Sequence, residues 1–139
     1  MKNMQDEATN NRTVTILVTA SKDTVFDFLS NIENLPAWAT EFCEGLKKEA
    51  GHYKVVTSSG ELFFKIESDR KTGVVDMFAG PTLEQMGIFP CRIVAMPGGA
   101  TAISFTFFQP PEMPDEVYER QYKSLLIEME GVKKRFNSN

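Results

Sequence analysis

Over residues 115–136 apolar side chains recur at three- and four-residue spacing. Tyr118, Tyr122, Leu125, Met129, Val132 and Phe136 form one continuous stripe along a long helix. Pro114 and Asp115 open this helix, and Lys133, Lys134 and Arg135 weight its end, as the helix dipole favours. Glu116, Glu119, Glu128, Lys133 and Lys134 are assigned to its solvent side. A lone amphipathic helix must bury its stripe against another layer. What precedes it in this chain reads almost entirely as strand, so the layer is a sheet with one apolar face.

The strands follow from two-residue periodicity. Val14, Ile16 and Val18 alternate with Thr13, Thr15 and Thr19 in a first strand that starts near residue 12. Ser21 then caps a helix through its hydroxyl, and Val25, Phe28, Leu29 and Ile32 carry the helical period until Pro36 ends it. Asn31 and Asn34 divide that region into two short helices. Six further strands are expected at 43–49, 52–57, 61–69, 74–79, 90–96 and 101–108, separated by Ala-Gly, Ser-Ser-Gly, Lys-Thr-Gly and Pro-Gly-Gly turns. In the third of these, Leu62, Phe64, Ile66 and Ser68 face one way and Glu61, Lys65, Glu67 and Asp69 the other. The architecture is α+β: a seven-stranded antiparallel sheet curled around the C-terminal helix. Residues 80–89 join two strands by a connection longer than a hairpin needs and are read as either a mobile rim or a merely irregular loop.

With 139 residues, 42% hydrophobic and 24% charged, the chain holds one core, a single domain at 12–137 behind a flexible polar leader at 1–11. Fifteen basic against 19 acidic residues leave a net charge of −4 without a basic block, which argues against nucleic acid as a partner. Cys43 and Cys91 lie outside any disulfide or zinc spacing and read as small apolar residues with reduced thiols, which makes a cytoplasmic location the expectation. Neither a signal-peptide segment nor a run of roughly 18 apolar residues is present, so no membrane span is expected. No phosphate loop, dinucleotide fingerprint or paired-histidine metal motif occurs, and neither metal nor cofactor is expected. His52, the only histidine, is assigned to the surface, and Glu41 and Glu44 to a solvated loop.

The stretch Thr19-Ala20-Ser21-Lys22-Asp23-Thr24-Val25-Phe26-Asp27-Phe28-Leu29, followed by Ile32-Glu33-Asn34-Leu35-Pro36-Ala37-Trp38 and by Ser104-Phe105-Thr106-Phe107 ahead of the long helix, resembles the START-like, polyketide cyclase/dehydratase superfamily. This is the SRPBCC or helix-grip fold, shared with pollen-allergen-like lipid binders. The resemblance implies a cavity between sheet and C-terminal helix that takes a hydrophobic or amphipathic small molecule. The large residues expected around it are Trp38, Phe42, Phe64, Met77, Met86, Phe89, Met96, Phe105, Phe107, Tyr118 and Tyr122. Two other functions fit the same fold: a cyclase or dehydratase acting on a polyketide-like substrate, and a protein-interaction module, for instance a homodimer through an exposed sheet edge.

Strand register adds one polar candidate. A two-residue Gly98-Gly99 turn, or a four-residue loop over 97–100, sets Arg92 opposite Phe105 and points it into the cavity as a handle for a ligand carboxylate or carbonyl. A three-residue Pro97–Gly99 loop reverses that facing. A Ser59-Gly60 turn sets Tyr53 against Ile66 and Val55 against Phe64.

Overall fold

A computed structural model of the chain describes residues 10–137. Strand β1 (Asn10–Val18) leads into helix α1 (Lys22–Leu29), a 3₁₀ turn (Ile32–Asn34) and the one-turn helix α2 (Leu35–Trp38). A meander follows: β2 (Gly45–Glu49), β3 (His52–Thr57), β4 (Gly60–Asp69), β5 (Val74–Thr82), β6 (Gln85–Ala95) and β7 (Thr101–Gln109). Helix α3 (Asp115–Phe136) closes the chain. The expected leader lies outside the described residues over positions 1–9, while Asn10 and Asn11 belong to β1. No helix among the described residues is long and apolar enough to cross a membrane.

The seven strands form one antiparallel sheet in the order β1-β7-β6-β5-β4-β3-β2, open at β1 and β2. Sequential hairpins place β2 to β7 side by side. The chain's first strand then completes the sheet against its last, pairing Val14 with Phe105 and Ile16 with Ile103. Burial along β7 alternates strictly, with Thr101, Ile103, Phe105, Phe107 and Gln109 buried on the concave face.

Local chemistry sets the helix limits. The Ser21 hydroxyl accepts the Thr24 N–H at 3.2 Å to cap α1, and Asn31 Oδ1 accepts the Glu33 N–H at 3.0 Å to start the 3₁₀ turn. Pro36 does not end the helical region as expected: it sits in the first turn of α2, where its missing N–H has no intrahelical partner to lose. The end of α3 is tied to the end of β1, with the Ala20 N–H donating to the Phe136 carbonyl at 3.1 Å and the Thr19 hydroxyl to the same oxygen at 3.2 Å.

Three connections differ from expectation. At β3–β4 the corner residues are Ser58 and Ser59, so Tyr53 faces Phe64 and Val55 faces Leu62. This is a slip of two residues that leaves every side chain on its expected face. Residues 80–89 form no rim: β5 and β6 run on to a tight hairpin at Thr82 and Gln85, with an irregularity between Ala79 and Thr82. Gly80 permits that irregularity, because a Cβ there would lie 1.8 Å from the Gln85 carbonyl oxygen. At β6–β7 the Met96 N–H donates to the Ala100 carbonyl at 2.8 Å around a three-residue loop, with Gly98 and Gly99 at φ of 85° and 90°. Cys91 therefore faces Phe105, and Arg92 faces Ser104.

Candidate functional site

The two halves of α3 meet different surroundings. Met129, Val132 and Phe136 are buried in the core, and the Phe136 ring meets Phe28 of α1 edge-on at 5.4 Å. Along the first half, Val117, Gln121, Ser124 and Glu128 follow one another at four-, three- and four-residue spacing, and with Arg120 and Leu125 they line a cavity of about 500 Å³. The opposite wall comes from the concave sheet face, with Leu62 and Phe64 of β4, Met77 of β5, Phe89 of β6 and Phe105 and Phe107 of β7. Leu35, Trp38, Ala39 and Phe42 close the side formed by α2 and the segment after it. Exposed Glu41, Ser58, Ser59, Arg120 and Gln121 make a polar mouth.

Of the expected site residues, Trp38, Phe42, Phe64, Met77, Phe89, Phe105 and Phe107 are brought together in the cavity wall. Trp38 packs on Phe105 at 5.9 Å, Phe42 on Phe64 at 6.2 Å, and Phe89 stacks on Phe107 at 6.3 Å. The Trp38 indole N–H is buried without a hydrogen-bond partner.

Five expected residues lie elsewhere. Tyr118 stacks behind Phe107 at 4.8 Å, and its hydroxyl donates to the Phe107 carbonyl at 3.2 Å. It lines a separate polar recess with Arg12 and Glu119. Tyr122 is half-buried beneath the Arg12 guanidinium, which sits 4.4 Å from its ring centroid and pairs with Glu119. Met86 belongs to the β5–β6 hairpin and Met96 to the exposed β6–β7 corner, outside the cavity wall.

Arg92 is the fifth and the largest departure. The three-residue loop puts it on the outer face of the sheet, where it pairs with Asp76 at 2.7 Å. An exposed pair of this kind contributes between zero and about 1 kcal/mol. Arg92→Met is expected to lower the unfolding free energy by less than about 1 kcal/mol and to leave dye binding in the cavity within about twofold, checked by urea denaturation and dye titration. A lost dye site would return the guanidinium to the cavity.

Glu128, assigned from sequence to the solvent side, is 6% exposed and lines the cavity. Its position three residues after Leu125 is about 60° around the helix from that residue, at the edge of the apolar stripe and not opposite it. Oε2 accepts the backbone N–H of Glu41 at 3.0 Å and of Phe42 at 2.9 Å. Burial pushes its carboxyl up to about 7, with the charge of Glu41 adding to the rise and the two N–H donors opposing it. The 117/121/124/128 spacing was the available signal for this face: a second helical stripe, polar in composition, beside the apolar one. Burial also raises Cys43 and pushes the Cys91 thiol up to about 12, which leaves Cys91 without thiolate character at neutral pH.

No protein-family model and no curated protein matches the sequence. Solved structures match in shape. The Aha1 dimer from Colwellia psychrerythraea superposes with a TM-score of 0.68 at 17% identity, over 92% of this chain and 96% of that one. A START superfamily protein from Mycobacterium smegmatis gives 0.61 at 15%, over 90% and 97% of the two chains. Norcoclaurine synthase from Thalictrum flavum gives 0.65 at 15%, over 90% and 84%. With this strand order and this long helix laid across an antiparallel sheet, the chain has the helix-grip fold that these solved structures share.

Proposed function

We propose that the protein binds a hydrophobic or amphipathic small molecule in the cavity between the sheet and the first half of α3. The cavity itself carries this reading. Protein interiors are otherwise close-packed, and a space of about 500 Å³ bounded by Trp38, Phe42, Leu62, Phe64, Met77, Phe105 and Phe107 forfeits packing contacts that an apolar guest restores. The size falls in the range of small-molecule sites. The fold alone does not choose between carriage and chemistry, since a START superfamily protein and a synthase share it. The wall favours carriage: Glu128 is the one ionisable side chain buried in it among the described residues, whereas divided acid and base roles need two groups held in different protonation states.

Trp38 is the only tryptophan and stands in the wall, so the site contains its own reporter. Titration with Nile red is expected to brighten and blue-shift the dye, change Trp38 emission and raise the melting temperature. Dye at a hundred times its Kd stabilises the folded state by about 2.7 kcal/mol. Native mass spectrometry of the freshly purified protein is expected to show a retained small molecule. Saturating dye that leaves both Trp38 emission and the melting temperature unchanged would overturn the reading.

A further inference from the structure

The cavity is apolar on its sheet side, and its helix side carries one carboxylate that the fold satisfies by half. Both backbone donors that reach Glu128, the N–H groups of Glu41 and Phe42, go to Oε2. Oε1 accepts nothing from the described residues. Yet Trp38 Nε1 is the one fully sealed, unpartnered side-chain nitrogen or oxygen among them, so the equally unpartnered Oε1 is in reach of a water-sized group. Glu128 lines the cavity and is nine-tenths buried, so the accessible space at Oε1 belongs to the cavity.

We propose that Glu128 Oε1 is the polar anchor of this cavity and selects apolar molecules that end in a hydrogen-bond donor, an amine or a hydroxyl. This rests on the ligand-binding reading above and names the class of ligand. An apolar body fills the space against Phe64, Phe105 and Phe107, and the donor end meets the oxygen that the protein leaves free. A ligand with an acceptor-only head would bring a second acceptor to Oε1 and leave both unpaired, which is how a buried polar group discriminates. The other charged residues of the lining, Glu41 and Arg120, are exposed at the mouth, and Cys43 on the adjoining segment is buried and neutral.

The test is displacement of Nile red at pH 8.5 by decylamine, decanol, decyl methyl ether and decanoate, each below its aggregation concentration. The wild-type protein is expected to bind decylamine at least about tenfold tighter than the ether, with decanol between and decanoate weakest. In Glu128→Gln the side-chain carbonyl must take the two backbone N–H donors, because an amide NH₂ cannot accept them. The NH₂ then occupies the place of Oε1, a donor where an acceptor was. The variant is expected to melt cooperatively and to invert the ranking, favouring the ether and decanoate over the amine. Glu67→Gln, altered on the outer face of the sheet where Glu67 pairs with Lys65, is expected to keep the wild-type order. Equal wild-type affinity for amine and ether, an unchanged ranking in Glu128→Gln, or loss of the ranking in Glu67→Gln overturns the anchor while leaving the cavity reading intact. Absence of dye binding overturns both.

Discussion

Met129→Ala is expected to lower the unfolding free energy by about 3–5 kcal/mol, and Leu125→Ala by about 2 kcal/mol. Both residues belong to the stripe that docks α3, and they are 2% and 7% exposed. Their surroundings separate them. Met129 is buried and does not line the cavity, so its truncation opens a new void and adds the cavity penalty to the lost transfer energy. Leu125 already lines a space, so shortening it enlarges that space and forfeits mainly the transfer part. Urea denaturation with an unchanged m-value checks both values. Losses below about 0.5 kcal/mol at both positions would mean that α3 is not docked on the sheet.

Between pH 5 and pH 8 the protein is expected to lose about 2–3 kcal/mol of stability through Glu128 alone. Burial raises the folded-state carboxyl from 4.5 to about 7, while the unfolded chain keeps the ordinary value. In the interval between them the folded state holds a proton that the unfolded chain has released. Raising the pH therefore draws the equilibrium toward unfolding. The contribution is complete below about 4.5 and is lost as the pH passes about 7. Carboxylates with strong partners run the other way: hydrogen bonds from Lys54, Thr72 and Arg12 lower Glu49, Asp69 and Glu119, and what these contribute is lost only as the pH falls through the acid range. Glu128→Gln carries no titrating proton at this site. The difference between wild type and variant, measured by urea unfolding across this range, isolates the effect. Parallel curves for the two proteins would show that the carboxyl titrates in the folded state as it does in the unfolded chain. The same titration acts on the cavity, since a protonated Glu128 holds the Glu41 and Phe42 amides less strongly than the carboxylate does.

Elements with a strong period were legible in the sequence. The stripe from Tyr118 to Phe136 marked α3 within its observed limits, Asp115–Phe136, because a one-sided apolar pattern can be satisfied only by docking. Strand β3 ran from His52 to Thr57 as expected, between two turn signals. The aromatic wall was legible as a group for a related reason: Phe64, Phe105 and Phe107 stand at inward positions of alternating strands, and alternation assigns a face without knowledge of the neighbours.

What failed depended on a count of one residue or on a choice at an edge. A strand reverses every side chain when its turn changes by one residue. The three-residue loop Pro97–Gly99 therefore moved Arg92 from the cavity to an ion pair with Asp76 on the outer surface, and Pro-Gly-Gly is compatible with loops of either parity. The rim at 80–89 failed because β-strands run on wherever backbone partners exist, and Ala79, Thr82 and Gln85 supplied them.

By itself the sequence determined the order of elements, the apolar face of each, and hence a sheet gripping one long helix. Periodicity is a property of consecutive residues and needs nothing beyond them. Only the tertiary structure decided which flank of α3 looks inward, where Glu128 meets the Glu41 and Phe42 amides, and how much space is left between Leu125 and Phe105. Those follow from the angle and distance at which separate elements come to rest. That placement is set by the summed packing of side chains far apart in the chain, and no local pattern encodes it.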